Sequence, residues 1–278
     1  MKLFYHNRTF LDTLNFEKNT LEKGPLFLQI FQALERLFST ACDTILSIKQ
    51  KGTRNEKMET SKIFQHNTFT TLSGGFYKGT IRLKEALQHG SAGIGTLDTA
   101  DGEVTIIDGI AYHGDAHNQV RLVNDEETMP YVAMVDHHPL QTFTDQSVSN
   151  SKDFLAHLIE KFPTKNTAYS LVIHGKFKTV TLSSKPANNT RSYPEIMADQ
   201  PYFTKEEVEG TMLGIWSPEH LKDLFGSGFH LHFVSDDRTF SAHVQHFITK
   251  EVTVEIGQIS QIEQEFPTDD ETFTHHPF

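Results

Sequence analysis

The sequence predicts an α+β (mixed α/β) fold built on mixed β-sheets, and three observations lead there. After residue 57, short β-type runs follow one another closely, separated by the turn pairs Gly74-Gly75, Asp101-Gly102, Asp108-Gly109 and His174-Gly175. Only Ile81 to His89 and Ser151 to Phe162 carry a helical pattern in that region. The third observation is a split in charge: residues 1–57 hold nine Lys or Arg against six Asp or Glu, while the remainder holds 16 against 30. The first segment is therefore separate material.

Within residues 1–57, Leu26 to Ile48 places Ile30, Leu34, Leu37, Ala41, Ile45 and Ile48 at three- and four-residue steps, which predicts a helix with one apolar face. It does not read as a secretory signal, because Asp12, Glu17, Lys18 and Glu22 precede it and Glu35-Arg36 interrupts it. Residues 1–57 are expected to be a helical or disordered extension, with Met58 the functional start and the cytoplasm the expected location. Val104 to Asp108, Ile110 to His113, Val120 to Val123 and Tyr131 to Asp136 predict strands. Ile81 to His89 predicts a helix stopped by Gly90, and Ser151 to Phe162 a second one, capped by Ser151 and ended by Pro163. Ala168 to Leu182 reads as a hairpin turning at His174-Gly175, and the polar Ser183 to Gln200, with Pro186 and Pro194, as a loop.

Composition removes several function classes. The chain of 278 residues has one Cys, Cys42, so a cysteine-rich zinc module is excluded and any metal must be held by His and carboxylates. A formal charge of -11 argues against nucleic-acid binding, which needs clustered Lys and Arg. No apolar run approaches the roughly 18 residues that span a bilayer, so no membrane role is expected.

The chemistry gathers in Gly228 to Lys250, two β-type runs joined by Ser235-Asp236-Asp237-Arg238. Residues two apart on a strand share a face, so His230 and His232 lie opposite to Phe229, Leu231 and Phe233. The returning strand brings His243 opposite this pair and turns His246 away. Three converging imidazoles predict a divalent-metal site with open positions, Zn²⁺ first and Fe, Mn or Co as alternatives. The other reading is chance, since a chain with sixteen His will contain some His-x-His pairs. His137-His138 and His275-His276 are expected to be solvated. Gly93-Ile94-Gly95-Thr96 follows a helix and is too glycine-poor for a dinucleotide fingerprint. Glu103, starting a strand after the Asp101-Gly102 turn, is placed to reach a cleft.

In combination, HGSAGIGTLDTADGE (His89 to Glu103) and GFHLHFVSDDRTFSAHV (Gly228 to Val244), with GGFYKG at Gly74 and Gly175 to Pro186, resemble the α-acetolactate decarboxylases from about Gln65 to Phe273. The resemblance implies two packed mixed-sheet subdomains, here 58–166 and 167–278, with the metal site between them and homodimerisation. It maps the metal ligands onto His230, His232 and His243, a catalytic glutamate onto Glu103 and a pocket threonine onto Thr96. The implied reaction is decarboxylation of (S)-2-acetolactate to (R)-acetoin and CO₂ through a metal-stabilised enediolate, with Glu103 delivering the proton.

Two departures stand against full activity. The family's substrate-facing arginine, in an RSVP-like motif, falls on Ser183 of Ser183-Ser184-Lys185-Pro186. Lys185 and Arg191 are the nearby cations that stand, with Ser183, as candidate substrate contacts in its place, Lys185 expected on the wrong strand parity and Arg191 in a loop. A C-terminal glutamate that returns to the metal in the family has no counterpart before Phe278. The alternative reading is a metal-binding, catalytically weak relative that binds or senses a small molecule.

Overall fold

The histidine hairpin belongs to a group of long strands around which the rest of the fold is arranged. The computed structural model describes residues 59–278; the helix expected over Leu26 to Ile48, Cys42 and the start expected at Met58 lie outside the described residues. In chain order the strands are β1 (Ser61–His66), β2 (Ile81–Arg82), β3 (Ala92–Leu97), β4 (Asp101–Ile107), β5 (Ile110–Gly114), β6 (Val120–Leu122), β7 (Thr128–Met129), β8 (Tyr131–Asp136), β9 (Gln141–Asp145), β10 (Tyr169–Ser183), β11 (Tyr202–Ser217), β12 (Gly228–Ser235) and β13 (Ser241–Glu265). Helices are few and short: α1 (Phe69–Ser73), α2 (Leu83–Ala86), α3 (Ser151–Glu160), α4 (Tyr193–Ala198), α5 (Lys222–Phe225) and α6 (Glu271–Thr274). The fold is mixed and dominated by sheet.

The strands form one hydrogen-bonded ladder, apart from the β2–β7 pair. Its C-terminal part closes on itself, because β10 pairs with β11 and β13, and β12 pairs with both β11 and β13. Its N-terminal part runs β1-β8-β3-β4-β5-β6. The parts join where β1 pairs with the end of β13, the one parallel pairing among the described strands. The expected boundary near residue 166 falls between α3 and β10, while Met58–Phe278 cluster as a single compact unit.

Strand alternation divides the core. On β11, Met212 and Trp216 enter a cluster with Leu171, Phe177, Phe233 and α3's Phe154, whereas Leu213 and Ile215 face Ile94, Tyr131 and Ala133 of β3 and β8. A third cluster packs α2's Leu83 and Ala86 onto Val104, Ile106 and Met134. Burial of apolar side chains on both faces of these strands is the main stabilising contribution.

Several local expectations are corrected. The run expected as a hairpin over Ala168 to Leu182 is no hairpin: from Tyr169 onward it belongs to the continuous strand β10. Gly175 has φ of 146° there, and a side chain at that position would press on the Glu251-Val252 backbone of β13, so the glycine serves close strand approach and not a turn. The Ser183 to Gln200 loop contains α4, opened by the Ser192-Glu195 capping box. Ile81 to His89 begins as a short strand before its helical turns. The cap of α3 is Asn150, whose Oδ1 accepts from the Asp153 N–H at 3.0 Å, with Ser151 the first helical residue. His137 is not solvated: it is largely buried, 2.8 Å from Ser170 Oγ and 3.3 Å from Glu255. His276 packs edge-on against Phe76, while His138 and His275 keep more contact with water.

Candidate active site

The alternation that sends Leu231 and Phe233 into the closed strand group turns His230 and His232 the other way, beside Ile215 and Leu213 of β11. His232 pairs directly with His243 across the hairpin, and His246 is exposed. The three imidazole centroids lie 5.1 to 5.5 Å apart, and one nitrogen from each falls within 4.8 Å of the others. His232 Nδ1–H donates to the Val104 carbonyl at 2.9 Å, which fixes the tautomer and leaves the Nε2 lone pair free. That Nε2 is buried without a hydrogen-bond partner.

Burial pushes the His230 pKa down to about 4, and the Lys185 charge adds to the effect. Burial, reinforced by the neighbouring imidazoles and Lys185, holds His232 and His243 well below the ordinary histidine range. All three are neutral at pH 7. Neutral imidazoles with convergent lone pairs and one orphaned buried nitrogen fit a divalent cation, with open positions left for water or substrate.

Glu103 comes from β4, third residue of the strand and not its start, and lies 6 % exposed. Its Oε2 stands 3.5 Å from His232 Nε2 and its Oε1 accepts from the Lys185 ammonium in a buried ion pair. Burial raises the Glu103 pKa, and the Lys185 charge partly offsets this. Lys185 therefore faces the site. β10 ends at Ser183, so strand parity does not govern a residue two positions further on. Thr96 also lines the cavity, its hydroxyl donating to the Gly102 carbonyl at 2.7 Å.

Two predicted substrate contacts are placed elsewhere. Ser183 is fully buried as the cross-strand partner of His243 and accepts from Gln245, without lining the cavity. Arg191 is exposed, paired with Asp199, and borders a separate surface depression near Lys78 and Thr99.

The histidines, Thr96, Glu103 and Lys185 share one cavity of about 310 Å³. Its other wall is apolar and aromatic, including Phe69, Leu72, Phe225, Tyr131 and Tyr193, none of them singled out by sequence reasoning. Tyr131 could have been found: it opens a predicted strand and pairs with Thr96. Asn189 was also missed. Its side-chain amide donates to the carbonyls of Thr99, Ala100 and Pro186, at 3.1, 3.1 and 2.6 Å. It thereby ties the segment bearing Lys185 to a turn where Thr99 and Ala100 both have positive φ.

A family model for alpha-acetolactate decarboxylase matches residues 63–278. The chain belongs to the alpha-acetolactate decarboxylase family. It is 38% identical over 216 residues to the alpha-acetolactate decarboxylase of Lactococcus lactis subsp. cremoris, covering 77% of this chain and 92% of that one. The Streptococcus thermophilus family member is 34% identical over 224 residues, covering 79% and 94%. A solved Staphylococcus aureus protein, described as of unknown function and similar to alpha-acetolactate decarboxylase, superposes with TM-score 0.75 at 31% identity over 78% of this chain and 94% of its own. The Bacillus subtilis alpha-acetolactate decarboxylase gives 0.74 at 27% identity over 78% and 93%. His230, His232, His243 and Glu103 thus lie together in one cavity of a chain of this family.

Proposed function

We propose that the chain decarboxylates (S)-2-acetolactate to (R)-acetoin. The observation that carries this reading is the convergence of His230, His232 and His243 with the Glu103-Lys185 pair in one cavity. The substrate is a 2-hydroxy-3-oxo acid. Cleavage of its carboxyl-carbon bond releases CO₂ and sends the electron pair toward the neighbouring carbonyl oxygen, giving an enediolate. A proton added to the former C2 completes acetoin, so one proton is consumed per turnover.

Each chain residue then has a role. Glu103, kept protonated more readily by burial, delivers that proton to one face and so sets the product's configuration. Lys185 orients Glu103 and brings positive charge near the developing oxyanion, taking over from the family arginine whose place is held by Ser183. Thr96 shapes the floor, and the aromatic wall excludes water. The three histidines would hold zinc or a similar divalent ion, which supplies Lewis acidity when bound. Homodimerisation and a cytoplasmic location complete the reading.

The test supplies racemic acetolactate to zinc-loaded protein and resolves the acetoin enantiomers. The expected outcome is (R)-acetoin well above spontaneous decay. A racemic product at the background rate would overturn the reading, and retained zinc would then favour the catalytically weak, metal-binding relative that the Ser183 substitution suggests.

A further inference from the structure

The cavity wall contains a polar group that the proposed chemistry leaves unused. The Tyr131 hydroxyl is buried and has no hydrogen-bond partner, although its residue lines the cavity. A buried phenol ordinarily finds an acceptor, because leaving it unpaired sacrifices its hydrogen bond to water. Tyr131 is the cross-strand partner of Thr96, which puts both side chains on the same face of the β3–β8 pair. Its ring lies parallel to that of His230, with centroids 6.4 Å apart. At Gly95 a side chain would meet the Tyr131 carbonyl at 2.7 Å, so the glycine lets β3 and β8 approach closely beside the site.

The substrate supplies the missing acceptor. Acetolactate carries its full negative charge on the carboxylate, and Lys185, the one cation among the described residues lining the cavity, is already engaged by Glu103. The carboxylate therefore needs a donor that is neither this ammonium nor an imidazole with its lone pair turned inward. A phenol keeps its proton at neutral pH and so acts as a donor.

We propose that Tyr131 is a substrate-contacting residue whose hydroxyl donates a hydrogen bond to the 2-hydroxy-carboxylate end of the substrate. This rests on the decarboxylase reading for the identity of the acid. A neutral donor suits a carboxylate that must leave as CO₂, because it anchors the group without the ground-state stabilisation that a cation would add.

The experiment compares the zinc-loaded full chain with its Tyr131→Phe variant, which keeps the ring and removes the hydroxyl. Three quantities are measured: kcat and KM on acetolactate, the thermal midpoint, and calorimetric affinity for 2-hydroxy-2-methylpropanoate, an unreactive acid with the same hydroxy-carboxylate end. The expected result is a KM raised and a probe affinity lowered by about 10-fold or more, with kcat changed less and the thermal midpoint equal or higher. A purely structural tyrosine would leave KM and probe affinity unchanged, and that result overturns the proposal. If the wild-type chain makes no acetoin above background, the decarboxylase reading falls, and the probe titration alone decides: equal affinities overturn the role of Tyr131, weaker binding by the variant supports it.

Discussion

Lys185 and Glu103 meet inside the cavity as an ion pair almost sealed from solvent, although 82 residues separate them in the chain. Removing one partner of such a pair strands the other in a poor solvent for charge. Lys185→Met is expected to destabilise the fold by about 3–5 kcal/mol, and to slow acetoin formation by roughly 100-fold or more. Adding Glu103→Gln in the same chain should recover much of the stability and none of the activity, as followed by urea unfolding and the acetoin assay. Equal loss of stability in the single and double variants would show that the pair is not the cause.

Ser183→Arg restores the residue type that the family resemblance places there, yet little gain is expected. Ser183 is fully buried beside His243, so a long side chain overpacks the hairpin, at about 1–3 kcal/mol, and brings a second cation toward Lys185. In a Lys185→Val background the same arginine should raise kcat/KM relative to Lys185→Val alone. That interaction between two substitutions is the measurement that identifies them as alternatives for one role.

His232→Ala is expected to reduce bound zinc from one ion per chain to a small fraction after exhaustive dialysis, measured by elemental analysis. Circular dichroism should stay unchanged, because the alanine is accommodated on the strand and loses only the hydrogen bond to Val104. His246→Ala, on the exposed face of the same hairpin, should keep its zinc.

The pH dependence of stability is predicted from His137, whose pKa is depressed below the ordinary 6.5 chiefly by burial, with Glu255 opposing the effect. The folded chain holds this imidazole neutral while the unfolded chain protonates it. Below pH 6.5 the unfolded state therefore binds more protons, and stability falls as pH drops toward the folded pKa, by at most about 1.4 kcal/mol per pH unit for one group. His137→Gln should make the urea midpoint less sensitive between pH 7 and 5.5. An unchanged slope would remove His137 from the account.

The convergence of His230, His232 and His243 was legible in the sequence because it depends on strand alternation and a short turn, both local. Tyr131 to Asp136 was likewise readable as a strand from its apolar run. The reading failed where glycine had a long-range purpose. Gly175 looked like a turn but lies within β10. Lys185 was misjudged because its position depends on where β10 stops, which pairing with β11 and β13 determines. Asn189 carried no local signal, since its partners Thr99 and Ala100 are brought to it by tertiary contact.

The parallel pairing of β1 with the end of β13 joins residues nearly the whole described length apart: His66 and Glu265, partners in that ladder, are 199 positions distant. Such a contact forms late, because a long loop must close before it is rewarded. During synthesis the strands that carry Thr96 and Glu103 emerge well before the histidine strands, and β1 must wait for β13 with an unsatisfied edge. Cavity assembly therefore waits for the histidine strands, and agents that hold the earlier N-terminal sheet soluble until then should govern how much active protein a cell obtains.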